Sequence, residues 1–210
     1  MLKQAAATKP RKRKQGRPPL IADAKNRILD EAAILFARNG YDNGSISEVA
    51  QRVGVTKAAI FHYYPSKQEL YDALIVRTLS GLIESVGRDL KGTESPEAEL
   101  RTFMLSHARY FEANYWSFVC MLIGFGGMED PSLRSDAFRL RNEYEGMLRS
   151  IISRGIGAGV FADEDVSATG RAVLSMLNWM ARWYNVDGSR SAADFALDYY
   201  NLIYKGLRRQ

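Results

Sequence analysis

The 210-residue chain has one cysteine, two histidines and no long hydrophobic run. The single Cys120 cannot form an intramolecular disulfide, and its position in the apolar segment 118–122 indicates a buried, inert thiol. No apolar stretch reaches the roughly 18 residues that a membrane-spanning helix requires. The basic N-terminus has no apolar segment after it, so we expect no secretory signal and no membrane partner. These absences favour a reducing cytoplasm.

Catalytic motifs are absent as well. His62 and His107 lie far apart, and the chain contains no G-x-S-x-G, H-E-x-x-H, C-x-x-C or P-loop motif. The glycine-rich segment 155–159 follows a helical pattern rather than a strand, so it is not typical of a dinucleotide-binding loop. We therefore expect no enzyme activity, no metal site and no cofactor.

Charge is distributed unevenly along the chain. Residues 1–17 hold seven basic and no acidic side chains. Residues 1–77 hold 14 basic and 7 acidic residues, whereas residues 78–210 hold 15 basic and 17 acidic residues. A basic end on a near-neutral body indicates either a polyanionic partner such as double-stranded DNA or a solvated tail.

Helical periodicity appears almost everywhere after residue 22, and no alternating strand pattern is present. The fold class is therefore all-α, with about nine helices. We expect helices at 23–39, between Ser45 and Gly54, at 57–64, at 67–91, from Pro96 onward, and at 115–125, 131–157, 165–185 and 191–207. Ser45 with Glu48, and Ser66 with Glu69, have the spacing of capping boxes.

Two of these helices are short and flank Gly54, which is typical of a helix-turn-helix unit. The second helix of such a unit lies in the DNA major groove. Thr56 is its expected N-cap, and the small Ala58 would let the backbone approach base edges. His62 and Tyr63 can donate hydrogen bonds to phosphates. Short helix pairs also occur without a DNA role, and the basic N-terminal region favours the DNA interpretation.

The segment RILDEAAILFARNGYDNGSISEVAQRVGVTKAAIFHYYPSKQELYDAL, residues 27–74, resembles the DNA-binding domain of TetR-family transcriptional regulators. The resemblance implies an N-terminal three-helix domain that bears the helix-turn-helix, followed by a larger helical ligand-binding and dimerisation domain. We assign residues 1–22 to a basic arm, 23–70 to the DNA-binding domain and 71–210 to the second domain. The resemblance places phosphate or base contacts on Ser45, Thr56, Lys57, Ala58, His62, Tyr63 and Lys67.

The N-terminal arm carries a further resemblance. Its segment QGRPPL is similar to the Gly-Arg-Pro core with which some proteins read the minor groove of A·T-rich DNA. Arg17 would then enter the minor groove. The alternative is a charged, mobile extension.

The second domain is rich in aromatic residues. In the 165–185 helix, one apolar stripe runs through Val173 and Leu177, and an adjacent stripe holds Trp179 and Trp183. A helix that is apolar over so much of its surface must be buried on two sides. Together with the 191–207 helix it fits a four-helix interface about a twofold axis, as in TetR-family dimers, so we expect a homodimer.

The remaining stripe of the 165–185 helix is polar and holds Arg171, Ser175, Asn178 and Arg182. It is either a solvent-exposed face or the place where an arginine meets an anionic ligand group. The pattern N-W-x-x-x-W-Y-x-x-x-G in residues 178–188 resembles TetR-type repressors of fatty-acid and steroid breakdown, whose effectors are acyl-CoA thioesters. The candidate ligand-binding residues are His107, Phe111, Trp116, Met121, Phe125, Trp179, Arg182 and Trp183.

These features predict a ligand-responsive repressor that releases a palindromic operator when a small hydrophobic effector binds, with an acyl-CoA as the favoured class. Two alternatives are an architectural DNA-binding protein without an effector and a regulator induced by a free aromatic or hydrophobic compound. The expected location is the cytoplasm, in association with the nucleoid.

Deleting residues 1–17 should lower DNA affinity and flatten its salt dependence, because it removes seven positive charges. Fluorescence anisotropy at several salt concentrations measures both effects. If Arg17 enters the minor groove, the loss should be larger on operators with A·T-rich flanks. Equal losses on A·T-rich and G·C-rich flanks would leave only the charged extension.

Overall fold

The computed structural model describes residues 23–207, and the all-α prediction is confirmed for this part of the chain. Within these residues no helix has the length and apolar character needed to cross a membrane. The α-helices are α1 (Ala24–Asn43), α2 (Ile46–Val53), α3 (Lys57–Tyr63), α4 (Lys67–Asp89), α5 (Pro96–Ala113), α6 (Tyr115–Gly124), α7 (Pro131–Gly157), α8 (Val166–Trp179) and α9 (Ala192–Leu207), with short 3-10 turns at Phe125–Gly127 and Met180–Arg182.

Helices α1 to α3 form the expected helix-turn-helix unit. Gly54 ends α2 in a left-handed conformation (φ 78°, ψ 32°), which glycine adopts without steric cost. Its N–H donates to the carbonyls of Ala50 and Gln51. The Thr56 side chain then caps α3 by accepting a hydrogen bond of 3.1 Å from the Ala59 N–H. Ile60 is fully buried and anchors α3 to the other helices.

Local signals predicted the break in α1 and the cap of α4, but not the cap of α2. Gly40, the expected end of the first helix, interrupts α1 with φ 79° and ψ 162°. Ser66 caps α4 as expected by accepting from the Glu69 N–H at 3.0 Å. The capping box at Ser45 is wrong: its side chain makes no capping hydrogen bond. Glu48 instead pairs with Arg52 one turn later, at 2.8 Å, because that cation lies within reach on the same helix face.

Helix α4 belongs to both parts of the molecule, and the boundary predicted at 70/71 falls inside its first turn. Tyr71 packs edge-on against Phe36 and Tyr41 of α1, with ring centroids 5.3 and 5.0 Å away. The Tyr71 hydroxyl donates to the carbonyl of Cys120 in α6 at 3.1 Å. The start of α4 is therefore fastened to α1 on one side and to the second domain on the other.

Asp72 is fully buried and forms a second contact between α4 and the second domain. Its Oδ2 accepts hydrogen bonds from the backbone N–H groups of Glu129 and Asp130, at 3.2 and 3.0 Å. Its Oδ1 accepts from the Gln68 amide at 2.7 Å. Charge-assisted bonds to two backbone donors compensate for burial of the carboxylate. They tie α4 to the segment that leads into α7.

The second domain packs α5 between α4, α7 and α9. Its core is aromatic and aliphatic, and its fully buried side chains include Phe103, Phe111 and Phe118. Cys120 is buried as predicted, and burial raises the pKa of its thiol to about 12. The thiol is therefore protonated and unreactive at neutral pH.

The predicted 165–185 helix is too long, because α8 ends at Trp179 and a 3-10 turn follows. Beyond this turn Tyr184 is nearly buried and its hydroxyl donates to Glu112 of α5. The Ala192 N–H that starts α9 also donates to this carboxylate, at 3.4 Å. The Glu112 carboxylate of α5 therefore holds the chain after α8 in a non-helical course. Helical periodicity alone cannot predict such a contact.

Asp72→Ala should destabilise the protein by roughly 2–4 kcal/mol, because two buried backbone N–H groups lose their acceptor. Urea unfolding monitored by circular dichroism measures the loss. Asp72→Asn is the matched control, since it keeps the volume and one acceptor oxygen and should cost less. Equal stability of the alanine variant and the wild-type protein would show that the carboxylate does not hold the α7 start.

Candidate functional site

The first candidate site is the outer face of α3, which we call the recognition surface. Thr56, Lys57, Ala58, His62 and Tyr63 are all exposed there. Because the Thr56 oxygen accepts from Ala59, its hydroxyl proton stays available for an external acceptor. The His62 and Tyr63 rings lie edge to face at 5.5 Å. The surface therefore offers hydroxyl, ammonium and imidazole donors beside an alanine methyl.

Two other predicted DNA contacts lie at the starts of α2 and α4. Ser45 is exposed at the start of α2. Lys67 is half-buried: its ammonium donates to the Asp42 carbonyl at 3.0 Å and lies 4.5 Å from the centre of the Tyr41 ring. Its phosphate contact stays a prediction, as does that of Arg17, which lies outside the described residues.

The second candidate site is a cavity of about 390 Å³ in the second domain, which we call the inner chamber. Helices α4, α6, α7 and α8 form its walls. Most of its apolar lining is aliphatic, and Phe125 adds an aromatic ring. The lining residues are Leu79, Leu82, Met121, Leu122, Phe125, Arg141, Tyr144, Glu145, Arg171, Leu174, Ser175 and Asn178.

Positive charge dominates the rim of the inner chamber. Glu145 bonds to Arg141 at 2.9 Å and to Arg149 at 2.6 Å, so two arginines share one carboxylate. Arg171 is exposed on the facing α8, and no acidic side chain within residues 23–207 forms an ion pair with it. Arg141 and Arg171 line the chamber against one glutamate, and this balance suits an anionic ligand group, since guanidinium forks match phosphate and carboxylate oxygens.

The floor of the inner chamber contains one buried polar pair. Tyr144 lines the chamber and is only 5% exposed. Its hydroxyl lies 2.8 Å from Nδ1 of His107, which is 1% exposed. Burial lowers the pKa of His107 to about 3, so its ring is neutral at physiological pH.

A larger space of about 720 Å³, the outer groove, adjoins the inner chamber along α8. The two spaces share Leu122, Ser175 and Asn178 as lining residues. Large apolar side chains are exposed in and around the groove. Ile123 and Trp179, which line the groove, are 66% and 64% exposed, and Leu202 of α9 is 65% exposed.

The structure brings four of the eight predicted ligand residues to these spaces. Met121 and Phe125 line the inner chamber, and Trp179 and Arg182 line the outer groove. The polar stripe of α8 is thus not simply a solvent-exposed face, because Arg171, Ser175 and Asn178 line the chamber.

The other four predicted ligand residues lie outside both linings. His107 sits behind Tyr144, and Phe111 is fully buried in the core against Phe118. Trp116 packs under the guanidinium of Arg38 at 4.8 Å. Trp183 follows the early end of α8 and packs against Phe195 at 4.9 Å, because the 3-10 turn removes it from the helical stripe.

The contribution of α7 to the chamber was not predicted from the sequence. Tyr144 occupies an apolar stripe between Leu140 and Leu148 at four-residue spacing, and all three are buried. A hydroxyl-bearing side chain on a core stripe was the available signal. Glu145 lies between Arg141 and Arg149 at the same spacing, but such ladders also occur on ordinary exposed helices.

Comparisons with known proteins match both parts of the chain. Residues 28–74 match the family model for bacterial regulatory proteins of the tetR family. Residues 93–207 match the tetracyclin repressor-like C-terminal domain. The first match covers the recognition surface, and the second covers most of the inner chamber.

Individual relatives extend over nearly the whole chain. The structure of the TetR family transcriptional regulator PfmR from Thermus thermophilus has a TM-score of 0.81 and 44% identity, covering 87% of this chain and 100% of that one. The HTH-type transcriptional repressor KstR2 of Mycobacterium tuberculosis strain H37Rv is 20% identical over 191 residues, covering 90% of this chain and 96% of its own. AibR in complex with isovaleryl coenzyme A and operator DNA has the same fold, with a TM-score of 0.76, 20% identity and coverage of 87% and 98%.

His107 should make folding stability depend on pH. Its folded pKa of about 3 lies below the ordinary 6.5, so below pH 6.5 the unfolded chain binds a proton that the folded chain does not. The stability it contributes is present above pH 6.5 and is lost as the pH falls toward 3, by about 2 kcal/mol at pH 5. Urea unfolding at pH 7 and pH 5 measures how much the free energy of unfolding falls between the two pH values. This fall should be smaller by about 2 kcal/mol in His107→Asn than in the wild-type protein. Identical losses in both proteins would mean that the buried ring is protonated in the folded state.

Proposed function

The chain belongs to the TetR family of bacterial transcriptional regulators, and we propose that within this family it is an effector-responsive repressor that releases its operator on binding an acyl-CoA thioester. Its family confirms that the protein is not an enzyme. The observation that carries the proposal is a chamber with a mainly apolar interior and an arginine rim, walled by α4, the helix that follows the recognition surface. This activity would place the protein in the cytoplasm, at the nucleoid.

The recognition surface supports DNA binding through its exposed donors. The exposed Lys57 and Thr56 hydroxyl would meet phosphates, while Ala58 would let α3 approach base edges. Ile60 is fully buried, and the buried Tyr64 donates a long hydrogen bond of 3.4 Å to the Lys25 carbonyl. The helix is therefore rigidly presented although it is short.

A palindromic operator requires two copies of this surface related by a twofold axis. The exposed side chains of Trp179 on α8 and Leu202 on α9 support a dimer contact at these helices. The inner stripe of α8 is buried in its own domain at Val173 and Leu177. The outer stripe, which holds the exposed Trp179, would pack against a second copy of the chain, as the double-sided apolar pattern predicts.

The lining of the inner chamber supports an acyl-CoA as the effector class. Leu79, Leu82 and Met121 offer an apolar interior, in which each buried methylene would contribute about 0.8 kcal/mol. The rim holds Arg141 and Arg171, which suit the phosphates of coenzyme A. AibR, a protein of the same fold, is known bound to isovaleryl coenzyme A and operator DNA. KstR2 is a transcriptional repressor, which supports repression as the direction of control.

A physical route connects the chamber with DNA binding. Leu79 and Leu82 of α4 are chamber walls, and Phe125 lies in the segment between α6 and α7. That segment leads to Glu129 and Asp130, whose N–H groups bond to the Asp72 carboxylate of α4. An effector that displaces these walls would therefore shift α4 and, in a dimer, the separation of the two recognition surfaces.

Two other functions make different demands. An architectural DNA-binding protein needs no effector, and the chamber with its exposed Arg171 would then have no role. A regulator induced by a free aromatic compound would use the apolar interior but not the arginine rim. Dependence of DNA release on the coenzyme A head separates the three functions.

Octanoyl-CoA should release the protein from an operator selected from random DNA, and octanoyl-pantetheine, which has the same thioester but no phosphates, should act at least tenfold more weakly. Arg171→Ala should lower the apparent affinity for octanoyl-CoA roughly tenfold, which corresponds to about 1.4 kcal/mol, and leave octanoyl-pantetheine nearly unchanged. Fluorescence anisotropy of labelled operator measures release.

The matched control is Arg109→Ala, which removes an exposed arginine of α5 outside the chamber lining and should change neither affinity. Equal action of the two thioesters would exclude recognition of the coenzyme A head and favour a simple hydrophobic inducer. Failure of every ligand to release the operator would favour the architectural function.

A further inference from the structure

The inner chamber has polar groups at two depths. At the rim, Arg141, Arg171 and Ser175 are exposed to solvent. Tyr144 is different, because it lines the same chamber but is 5% exposed, beside the buried aliphatic side chain of Leu82. A ligand that fills the chamber would thus meet cations first and a single phenol at the floor. Binding of an anionic head group by the rim arginines gives no role to the hydroxyl of Tyr144.

The Tyr144 hydroxyl is held from behind by His107. The oxygen lies 2.8 Å from Nδ1 of the imidazole. The ring of His107 is wedged edge-on against Phe118, with centroids 5.3 Å apart. Its Nε2 is buried and has no hydrogen-bond partner among residues 23–207. The imidazole therefore has one polar contact, and that contact is Tyr144.

The protonation of the pair determines what the phenol can do. Burial keeps His107 neutral and raises the pKa of the Tyr144 hydroxyl well above its ordinary value, so both groups are uncharged at neutral pH. A neutral imidazole carries one N–H. In either tautomer one buried donor of the pair lacks an acceptor among residues 23–207: Nε2–H when the proton is on Nε2, or the phenol O–H when the proton is on Nδ1. An acceptor oxygen of a ligand in the chamber would satisfy the phenol O–H and so favour the proton on Nδ1. A proton on Nδ1 donates to the Tyr144 oxygen and leaves the phenol O–H to donate elsewhere.

We propose that Tyr144, oriented by His107, donates a hydrogen bond to an uncharged oxygen on the apolar body of the effector. The effector class is then a thioester whose chain carries a keto or hydroxyl oxygen, rather than a plain saturated chain. This inference rests on the proposed function and deepens it: the arginine rim selects the head, and the Tyr144–His107 pair selects the body.

A purely structural pair would behave differently. If the bond served only to join α5 to α7, its removal would lower stability and weaken all ligands alike. A ligand-selecting pair changes the ranking of ligands, because the hydrogen bond forms with only one member of a matched pair. The ranking is therefore the discriminating measurement.

The test uses isothermal titration calorimetry of the full chain with octanoyl-CoA and a series of oxo-octanoyl-CoA thioesters that carry the ketone at different carbons. For the ketone position that binds best, Tyr144→Phe should weaken binding about tenfold, as expected for one lost hydrogen bond. The same variant should bind octanoyl-CoA within about twofold of the wild-type protein, because a saturated chain makes no such bond. Operator affinity without ligand controls for folding.

His107 is tested with two variants. His107→Asn places an amide near the position of Nδ1 and should retain the preference for the ketone, whereas His107→Leu should lose most of it. Equal weakening of saturated and oxo ligands by Tyr144→Phe at every ketone position would overturn the inference and leave a structural pair.

The same titrations with the pantetheine thioesters separate this inference from the proposed function. If pantetheine and coenzyme A thioesters bind alike but the Tyr144→Phe effect persists, only recognition of the head fails. If no thioester binds, both proposals are overturned.

Discussion

The buried carboxylate of Asp72 is the constraint on which the rest of the structure depends. It lies on α4 and accepts the backbone N–H groups of Glu129 and Asp130 just before α7. A carboxylate that loses contact with water is tolerable only while its hydrogen bonds are kept. Helix α4, the 125–130 segment and α7 are therefore fixed to one another at this point. All three contribute walls to the inner chamber.

The same helix fixes the position of the DNA-binding domain. Tyr71, next to Asp72, packs against Phe36 and Tyr41 of α1 and donates to the Cys120 carbonyl of α6. Gly124 lies so close to this ring that an added Cβ would stand 2.1 Å from a ring carbon of Tyr71. Tyr71 and Asp72, two adjacent residues of α4, thus join the DNA-binding domain to the inner chamber by packing and by hydrogen bonds. Neither domain can shift without disturbing this contact.

Much of the fold was predictable because its signals are local. Gly54 ends α2 and Thr56 and Ser66 cap their helices, each through atoms within a few residues. The DNA-binding domain could be recognised for the same reason, since its pattern is short and continuous. Ser45 shows the limit of such signals: a nearby arginine attracts Glu48, and the capping box does not form. Local spacing predicts which of these bonds are possible, and competing contacts decide which of them form.

By itself the sequence determined the all-α class, the helix-turn-helix, the excess of basic residues at the N-terminus and the apolar double face of α8, because composition and helical period encode each of them. Only the tertiary structure decided which polar groups share the chamber. Tyr144 and His107 are 37 residues apart, and Asp72 meets Asp130 across 58 residues. The early end of α8 likewise depends on Glu112, a side chain of α5. Contacts between distant residues follow from how the helices pack, and the periodicity of one helix does not identify the side chains that other helices place against it.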